Sequence, residues 1–314
     1  MKEWLNHTIL VIDEVHEVFF EKLEGLAINY SPNITIEELP DALINATILV
    51  LRSKLILDKK WIDLAPKLQV IGRLGSGMDN IDLAYANQKG IACLNAPEGN
   101  RNAVAEQTIG MMLGLVTHTV KSNNEIGQGK WLRRENQGLE LKNLTVGIIG
   151  YGNVGKELAS KLRVFGCDVI AYDKYLKNFG DDFVREVTLE ELQKKSDVIT
   201  LHVPLNESSK NMVNRGVIDS VSKPFYLLNL SRGQVVNIPD LISHLKGGKV
   251  LGAGLDVLPN ENLSSHTEKE RTELEFLNQN DKVILTPHTG GLTKDSFKLL
   301  AEVLANKMSA ISKG

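Results

Sequence analysis

Three ionisable side chains in the second half of the chain have the types and positions that acid–base chemistry requires. Arg232 lies in the segment NLSRG, Glu261 in LDVLPNE and His288 in TPHTGG, each after a predicted strand. Ligands of open α/β sheets bind beyond the carboxyl ends of the strands, so these side chains can converge there. A guanidinium holds a carboxylate through paired charged hydrogen bonds, and a histidine backed by a carboxylate acts as a general acid or base. Together they indicate hydride chemistry on an alcohol that carries a carboxylate.

Each of the three residues also has a purely structural interpretation. Arg232 could be a surface turn residue, Glu261 one acid in a charged loop, and His288 a strand-end histidine bonded to the backbone. Taken alone, Glu261 fits the structural interpretation better, and for His288 the two interpretations are balanced. Because all three follow strands of one predicted nucleotide-binding sheet, the catalytic interpretation is favoured.

A glycine-rich turn precedes these residues in the sequence. The segment GYGNVG follows the predicted strand Thr145–Ile149 and opens an amphipathic helix. In a dinucleotide-binding turn, Gly150 allows the tight bend, Gly152 lets the backbone approach a pyrophosphate, and Gly155 lets helix and strand pack closely. The helix N-terminus adds N–H donors and a partial positive charge. The turn therefore predicts a dinucleotide site.

An acid after the next predicted strand indicates which dinucleotide binds. The strand Asp168–Tyr172 ends at Asp173, where a carboxylate can accept hydrogen bonds from the adenosine ribose. A carboxylate also repels a 2′-phosphate, so the sequence favours NAD over NADP. Lys174, the next residue, leaves that preference open.

The elements that must position these residues alternate between strands and helices, which predicts parallel sheets. In the first hundred residues the predicted strands are Ile9–Ile12, Ala27–Tyr30, Ile48–Leu51, Val70–Leu74 and Ile91–Asn95. The helices predicted between them include Glu37–Ile44, Lys59–Ala65 and Leu83–Gln88. Strands predicted after the glycine turn and Asp173 are Val198–His202, Phe225–Leu230, Val250–Leu255 and Val283–Leu285.

Other segments connect or cap these sheets. Thr188 and Glu191 form a capping-box signature for a helix that ends near Lys195. An apolar helix is predicted from Asn102 to Asn123, bridging two domains, and residues 127–141 are polar and lack periodicity. The final helix, from Thr293 onward, is expected to return to the first domain.

Composition excludes several classes of protein. The chain has 314 residues, 42% hydrophobic residues, 24% charged residues and a net charge of −3 without long runs of one sign. These values are typical of an ordinary soluble globular protein and do not indicate a nucleic-acid or membrane surface. No secretory signal, membrane span or metal-site pattern is expected. Cys93 and Cys167 are expected to be reduced, in keeping with a cytoplasmic protein.

Over essentially its full length, the sequence resembles the D-isomer-specific 2-hydroxyacid dehydrogenase family. The shared motifs are GYGNVG with Asp173, NLSRG, LDV with a glutamate five residues after its aspartate, and TPHTGG. RLGSGMDNIDL (Arg73–Leu83) and NAPEGNRNAVAEQT (Asn95–Thr108) match the family's substrate-domain and interdomain-helix motifs. The resemblance implies an α/β protein with two Rossmann-like domains and a cleft between them. Residues 1–100 with 291–314 would form a flavodoxin-like substrate domain, and residues 101–290 a doubly wound NAD-binding domain.

The resemblance also implies roles for individual residues, and a homodimer formed through the NAD domains. Catalysis would fall to Arg232, Glu261 and His288. Residues implied to contact NAD are Val104, Gly150, Tyr151, Gly152, Asn153, Val154, Gly155, Asp173, His202, Val203, Pro204, Leu230, Ser231, Arg232, Asp256, His288, Gly290 and Gly291. Residues implied to contact the substrate are Arg52, Ser53, Arg73, Ser76, Gly77, Asn100, Arg133, Arg232 and His288.

The sequence departs from the family pattern in three places. Asn262 follows Glu261 where the family often has proline, and the loop from there through Gln279 is long and charged. Gln107 stands where the family often has histidine. The first two departures loosen the role implied for Glu261, and none affects Arg232 or His288.

Within the family, APEGNRNAVAE, GKWLRRENQG and VIAYDKYLKNFG resemble short D-3-phosphoglycerate dehydrogenases of serine biosynthesis. A phosphorylated substrate needs cations, which Arg52, Arg73 and Arg133 or Arg134 could supply, although each could equally be a solvated surface residue. Three alternatives stay open: a glyoxylate or hydroxypyruvate reductase, an NAD-sensing transcriptional corepressor, and an inactive dinucleotide-binding subunit. The intact trio weighs against the last, and the absence of a basic patch against the corepressor.

Overall fold

The structure is a computed structural model that describes residues 7–311. The chain divides into two compact units, residues 1–101 with 292–314 and residues 102–291. This division lies one residue from each of the predicted domain boundaries. None of the helices within the described residues is long and apolar enough to cross a membrane.

Strands and helices alternate along both units. The strands are β1 (Thr8–Val11), β2 (Ala27–Tyr30), β3 (Ile48–Leu51), β4 (Val70–Arg73), β5 (Ala92–Asn95), β6 (Thr145–Ile149), β7 (Asp168–Tyr172), β8 (Val184–Glu186), β9 (Val198–Leu201), β10 (Phe225–Asn229), β11 (Val250–Leu255) and β12 (Val283–Leu285). The helices are α1 (Val18–Lys22), α2 (Leu39–Leu43), α3 (Lys59–Asp63), α4 (Leu83–Gln88), α5 (Arg101–Val116), α6 (Thr119–Gly127), α7 (Asn153–Leu162), α8 (Leu189–Lys195), α9 (Arg215–Ser220), α10 (Ile238–Lys246), α11 (Glu268–Gln279) and α12 (Lys294–Ile311).

The first unit contains a parallel sheet in the order β2-β1-β3-β4-β5. Successive residues of β1 point to opposite faces, so Ile9 joins the core under α1 and α12 while Leu10 joins the core under α2, α3 and α4. From α12, the side chains of Leu300, Leu304 and Met308 are buried in the first of these cores. The last helix therefore completes the unit that begins at the other end of the chain.

The second unit contains a parallel sheet in the order β12-β11-β10-β9-β6-β7-β8. Val146 and Ile148 of β6 face a core that includes α5 and α7, and Ile149 faces the core of the opposite side. The strand order reverses at β6, which pairs with β7 on one side and β9 on the other. Such a switch point is where open α/β sheets bind ligands.

The prediction of one continuous helix from Asn102 to Asn123 is wrong, because the helix is interrupted near its middle. The chain forms α5 and α6, separated at His118, which has a φ of 58°. The backbone N–H of Leu139 donates to the Val116 carbonyl at 2.7 Å, and a Cβ on Gly138 would overlap Thr117. The passing segment 138–139 thus takes an acceptor that a continuous helix would use.

The predicted loop through Gln279 is also wrong, because residues 268–279 form α11. Its start is a complete capping box, in which the Thr267 hydroxyl accepts from the Glu270 N–H and the Glu270 carboxylate accepts from the Thr267 N–H. The two cysteines carry free thiols, and Cys167 is buried.

Candidate active site

The turn after β6 has a backbone that only glycine permits at two positions. Gly150 has a φ of 95°, and a Cβ there would overlap the carbonyl oxygen of His202. A Cβ on Gly155 would overlap the carbonyl oxygen of Gly150, because the first turn of α7 packs directly on the strand end. Gly152 is exposed and has open space on its Cβ side. The turn is therefore closed on its protein side and open on its outer side.

The N-terminus of α7 and Asp173 lie on either side of this turn. The first N–H groups of an α-helix have no acceptor within the helix, so those of α7 are available to an anion. Asp173 accepts from the backbone N–H of Tyr151 and Tyr175 at 2.8 Å and of Leu176 at 2.9 Å. Burial opposes ionisation of this carboxyl, but the N–H donors outweigh it and lower its pKa from the usual 3.8. Asp173 is therefore an anion at neutral pH, as the NAD prediction requires.

His202 follows β9 at the same edge of the sheet. Its Nε2 lies 2.9 Å from the Thr200 hydroxyl. Burial lowers the pKa of His202 to about 3, so its imidazole is neutral at physiological pH. The neighbouring Val203 is half-buried and Pro204 is exposed. This strand end thus presents neutral groups beside the glycine turn.

A buried asparagine shapes the loop that carries Arg232. Asn229, fully buried at the end of β10, accepts from the Ser231 N–H at 3.1 Å and the Ser231 hydroxyl at 2.9 Å. Its amide nitrogen donates to the Arg232 carbonyl at 2.9 Å. The Arg232 guanidinium donates to the Ser231 carbonyl at 2.6 Å and is half-buried. Both the backbone and the side chain of Arg232 are thus fixed by this loop.

The Arg232 loop packs on the loop that carries Glu261. A Cβ on Gly233 would overlap the backbone of Leu258 and Pro259, so the two main chains touch at this glycine. The Gln234 amide then donates to the Pro259 carbonyl at 2.9 Å. These contacts bring two of the three predicted catalytic residues onto adjacent loops.

Glu261 and His288 form a direct pair. The His288 Nδ1 lies 2.8 Å from the Glu261 Oε2, and the side chains are 47% and 46% exposed, respectively. Because a carboxylate accepts the hydrogen bond, Nδ1 carries the proton in the neutral ring and Nε2 keeps its lone pair. His288 has a φ of 55°, an uncommon backbone conformation for a residue other than glycine. The pair is accessible to a substrate and has the tautomer of a general base.

Asp256 holds the loop around His288 through hydrogen bonds to its carboxylate. Its carboxylate is 2% exposed and accepts from the Gln107 amide at 2.8 Å and the Thr286 hydroxyl at 2.5 Å. It also accepts from the backbone N–H groups of Thr289 at 2.9 Å and Gly290 at 2.8 Å. Both carboxylate oxygens therefore bond to the protein itself. Although Asp256 was predicted to contact NAD, its side chain is engaged in holding the loop around His288.

The residues of the first unit that were predicted to contact substrate lie at the ends of its strands. Arg52 follows β3, and its N–H donates to the Asp13 carboxylate at 2.6 Å. Arg73 ends β4, and a Cβ on Gly75 would overlap its guanidinium, so this side chain packs on the Gly75 backbone. The Ser76 hydroxyl donates to the Asn100 side chain at 2.5 Å.

The remaining predicted residues occupy varied environments. Val104 is buried on α5, Leu230 and Ser231 are buried after β10, and Gly290 is buried behind His288. Asn153, Ser53, Arg133 and Arg134 are exposed, and both arginines lie in the segment after α6. Tyr151 is buried and stacks on Phe179 with ring centroids 4.4 Å apart. Sequence reasoning gave no role to Asn229, Gln234 or Thr286, although Asn229 opens the motif NLSRG and Thr286 opens TPHTGG.

The fit of NAD can be judged from the donors and acceptors around the glycine turn. The open side of Gly152, the N–H groups of α7 and the ionised Asp173 match a pyrophosphate followed by a ribose. Backbone donors for an anion and a carboxylate for hydroxyls are the donor set that a dinucleotide requires. The residues present therefore fit the group.

Known proteins resemble this chain in sequence and in fold. Residues 109–290 match the family described as D-isomer specific 2-hydroxyacid dehydrogenase, NAD binding domain, which confirms the predicted cofactor, NAD. The D-3-phosphoglycerate dehydrogenase of Methanocaldococcus jannaschii is 34% identical over 98% of this chain and 57% of its own length. This chain thus spans little more than half of that relative. The hydroxypyruvate reductase of Thermotoga maritima is 35% identical over 88% of this chain and 89% of its own length.

A solved structure shows the same fold. The D-lactate dehydrogenase of Aquifex aeolicus, determined with NAD and lactic acid, superposes with a TM-score of 0.83 at 27% identity. The superposition covers 98% of this chain and 96% of that one. The likeness and the two parallel sheets confirm the predicted α/β class with two Rossmann-like domains.

Proposed function

This chain belongs to the D-isomer-specific 2-hydroxyacid dehydrogenase family, and we propose that it oxidises D-3-phosphoglycerate to 3-phosphohydroxypyruvate with NAD, or catalyses the reverse reduction. The observation that carries this substrate is a pair of arginines in the first unit. Arg52 follows β3 and Arg73 ends β4, and the two strands pair in register at Leu51 and Arg73. Two cations at adjacent strand ends suit a substrate that carries a phosphate as well as a carboxylate.

His288 is the proposed acid–base group. With its Nδ1–H donating to Glu261, the Nε2 lone pair can take the proton of the substrate hydroxyl, and in the reverse direction Nε2–H returns it. When bound, NAD supplies the acceptor for the hydride that leaves C2 of the substrate. Glu261 stabilises the positive charge that develops on the imidazole.

Arg232 is the proposed carboxylate anchor. Its guanidinium has five donors in a rigid fork, which can bind one carboxylate oxygen and polarise the neighbouring C2 oxygen. In the first unit, the backbone N–H groups of Ser76 and Gly77, beside the Ser76 hydroxyl that donates to Asn100, are the proposed backbone donors to a substrate carboxylate. These contacts would orient C2, and positioning of this kind accounts for a large part of the acceleration in enzymes.

Initial rates with matched substrates test the assignment. The oxidation would be measured with NAD and D-3-phosphoglycerate, D-glycerate or D-lactate, and the reduction with NADH and phosphohydroxypyruvate, hydroxypyruvate or glyoxylate. We expect the phosphorylated acid to have the highest kcat/KM in each direction. Equal or higher values with unphosphorylated acids would refute the phosphate assignment, and turnover of none of the acids would refute the proposed reaction.

Hydroxypyruvate reduction is the second candidate. The hydroxypyruvate reductase of Thermotoga maritima matches this chain over 89% of its own length, whereas the D-3-phosphoglycerate dehydrogenase of Methanocaldococcus jannaschii is matched over 57%. Because Arg73 packs on Gly75, Arg52 is the more available cation of the pair. The first unit would then offer a phosphate one cation in place of two. Under this alternative, Arg52→Gln would leave kcat/KM for hydroxypyruvate unchanged, whereas phosphate recognition requires a loss for phosphohydroxypyruvate alone.

We also propose that the second unit carries the contact of a homodimer. Large apolar side chains are exposed on α6 and the segment after it: Ile126 is 55%, Trp131 76% and Leu139 47% exposed. Exposed apolar side chains that lie this close in sequence are typical of an interaction surface. Light scattering should give twice the chain mass for the wild type and a lower mass for Trp131→Glu. A monomeric wild type at micromolar concentration would contradict the dimer.

A further inference from the structure

The loop that carries Glu261 is fixed through two consecutive main-chain carbonyls. The Gln234 amide donates to the Pro259 carbonyl at 2.9 Å, and the His266 Nε2 lies 2.9 Å from the Asn260 carbonyl. A carbonyl can only accept, so His266 Nε2 carries a proton. The residue after these two carbonyls is Glu261 itself. Both bonds therefore act on the backbone immediately before the carboxylate that faces His288.

Each donor is anchored on a regular element. Gln234 lies in the single helical turn Gly233–Val235, directly after Arg232. His266 is 6% exposed and immediately precedes Thr267, the N-cap of α11. The side chain of Asn260 also reaches α11, because its amide lies 3.4 Å from the Glu270 carboxylate. Both donors are thus anchored on regular elements of the second unit.

The Glu261–His288 pair cannot fix this geometry alone. Both side chains are about half exposed, and at such exposure even a full ion pair would contribute little to holding two groups in place. After Glu261, Asn262 caps the turn Leu263–Ser265, and its N–H donates to the Asn260 side chain at 3.1 Å. The orientation of Glu261 is therefore set by the backbone on both sides, and the two carbonyls before it are the ones bonded from other loops.

We propose that His266 and Gln234 are positioning residues, which hold Glu261 against His288 by donating to the two carbonyls that precede it. Glu261 in turn holds His288 as the Nδ1–H tautomer, so losing either donor would loosen both the pair and the tautomer. The kinetic role of this arrangement rests on the proposed function, because Glu261 affects turnover only if His288 transfers the proton. The tautomer does not depend on substrate.

The direct measurement is the ¹⁵N chemical shifts of the His288 ring in protein without substrate, at an alkaline pH where the ring is neutral. The wild type should show a protonated Nδ1 and an unprotonated Nε2, and His288→Asn identifies the signals by their loss. Glu261→Gln gives the reference for a lost pair. His266→Phe keeps an aromatic ring but has no donor, and we expect its His288 shifts to move toward this reference. His266→Gln keeps an N–H donor and should restore the wild-type shifts.

A matched control separates positioning from general damage. His244, in the same unit, also donates from its ring to a carbonyl, that of Asp240, with Nδ1 at 2.6 Å. His244→Phe should leave the His288 shifts and kcat unchanged. In steady-state assays, His266→Phe should lower kcat by about 10- to 100-fold without changing the KM for NADH. We expect Gln234→Met to lower kcat in the same way. It takes the place of His266→Phe if that variant does not fold.

The outcomes are distinguishable. Wild-type His288 shifts in both His266→Phe and Gln234→Met would overturn the proposal, as would equal changes in His266→Phe and His244→Phe. Shifts that move as expected in a protein that turns over no 2-hydroxy acid would support the positioning role and refute the proposed function. Normal turnover of a 2-hydroxy acid by the wild type, with His288 shifts unchanged in the variants, would support the proposed function and refute the positioning role.

Discussion

Both sheets are parallel and doubly wound, with different strand orders, and the loops at their switch points differ. In the first unit the order reverses at β1, and Asp13, two residues after that strand, accepts from the backbone N–H groups of Arg52 at 2.6 Å and Lys54 at 3.4 Å. In the second unit the order reverses at β6, which is followed by Gly150 with its positive φ. The Asp13 side chain spans the first crevice, whereas in the second the outer side of the turn is open at Gly152. Two doubly wound sheets therefore make two crevices, which differ in the residues that follow the first strand of each sheet.

Loss of the acid–base group has the largest expected effect, and it would sharpen the comparison by assigning the chemistry to the second sheet. His288→Asn removes a proton acceptor whose side chain is half exposed, so the fold should be little affected. We expect kcat to fall by about 10²- to 10⁴-fold, with the NADH dissociation constant nearly unchanged. Steady-state rates and NADH fluorescence titration measure the two quantities. Unchanged turnover would remove His288 from the mechanism.

Disturbing the close packing beneath the glycine turn would break the comparison directly. Gly155→Ala places a Cβ against the carbonyl oxygen of Gly150, so the turn or α7 must move. We expect NADH affinity to fall at least about tenfold, or about 1.4 kcal/mol, measured by fluorescence titration. Gly110→Ala, on α5, is the matched control because no atom lies within 4 Å of its new Cβ. Equal affinities in the two variants would show that the close packing at Gly155 is not needed for binding.

The smallest effect is expected in the first unit. Asp13→Asn replaces an ionised acceptor by a neutral one, and bonds to charged groups contribute more to stability than neutral bonds. We expect a loss of about 1 kcal/mol in the free energy of unfolding, measured with urea, and no change in NADH affinity. Weaker NADH binding in Asp13→Asn would mean that the first crevice also contributes to the cofactor site.

Local patterns account for what the sequence predicted well. Gly150, Gly155 and Asp173 act within one βα unit, where spacing along the chain determines position in space. The pairing of His288 with Glu261 was expected from the motifs, and the structure joins them at 2.8 Å. The orientation of each loop was not predictable, because it depends on residues distant in sequence. Gln107 bonds to Asp256, 149 residues away, and to Thr286, 179 residues away.

The errors have physical causes too. The end of α5 has no proline or glycine at Thr117 and His118, and it is set by the segment 138–139, which a helical pattern cannot reveal. The NAD contact of Asp256 was implied by the family resemblance and stays a prediction, and four donors of the protein surround its carboxylate. By contrast, α11 had a local signal in Thr267 and Glu270, the same capping pattern that correctly predicted α8 after Thr188. The segment was nevertheless interpreted as a loop, because its high charge was given more weight than the capping pattern.

The placement of α12 in the first unit affects the order in which the protein can fold during synthesis. A ribosome releases residues 102–291 before α12, so the second unit has its whole sequence while the first still lacks its last helix. Until Leu300, Leu304 and Met308 arrive, the core face of Ile9 and Phe19 has no cover on that side. The first unit therefore begins synthesis before the second unit but is completed after it. Its uncovered face is a surface that a nascent-chain chaperone could bind.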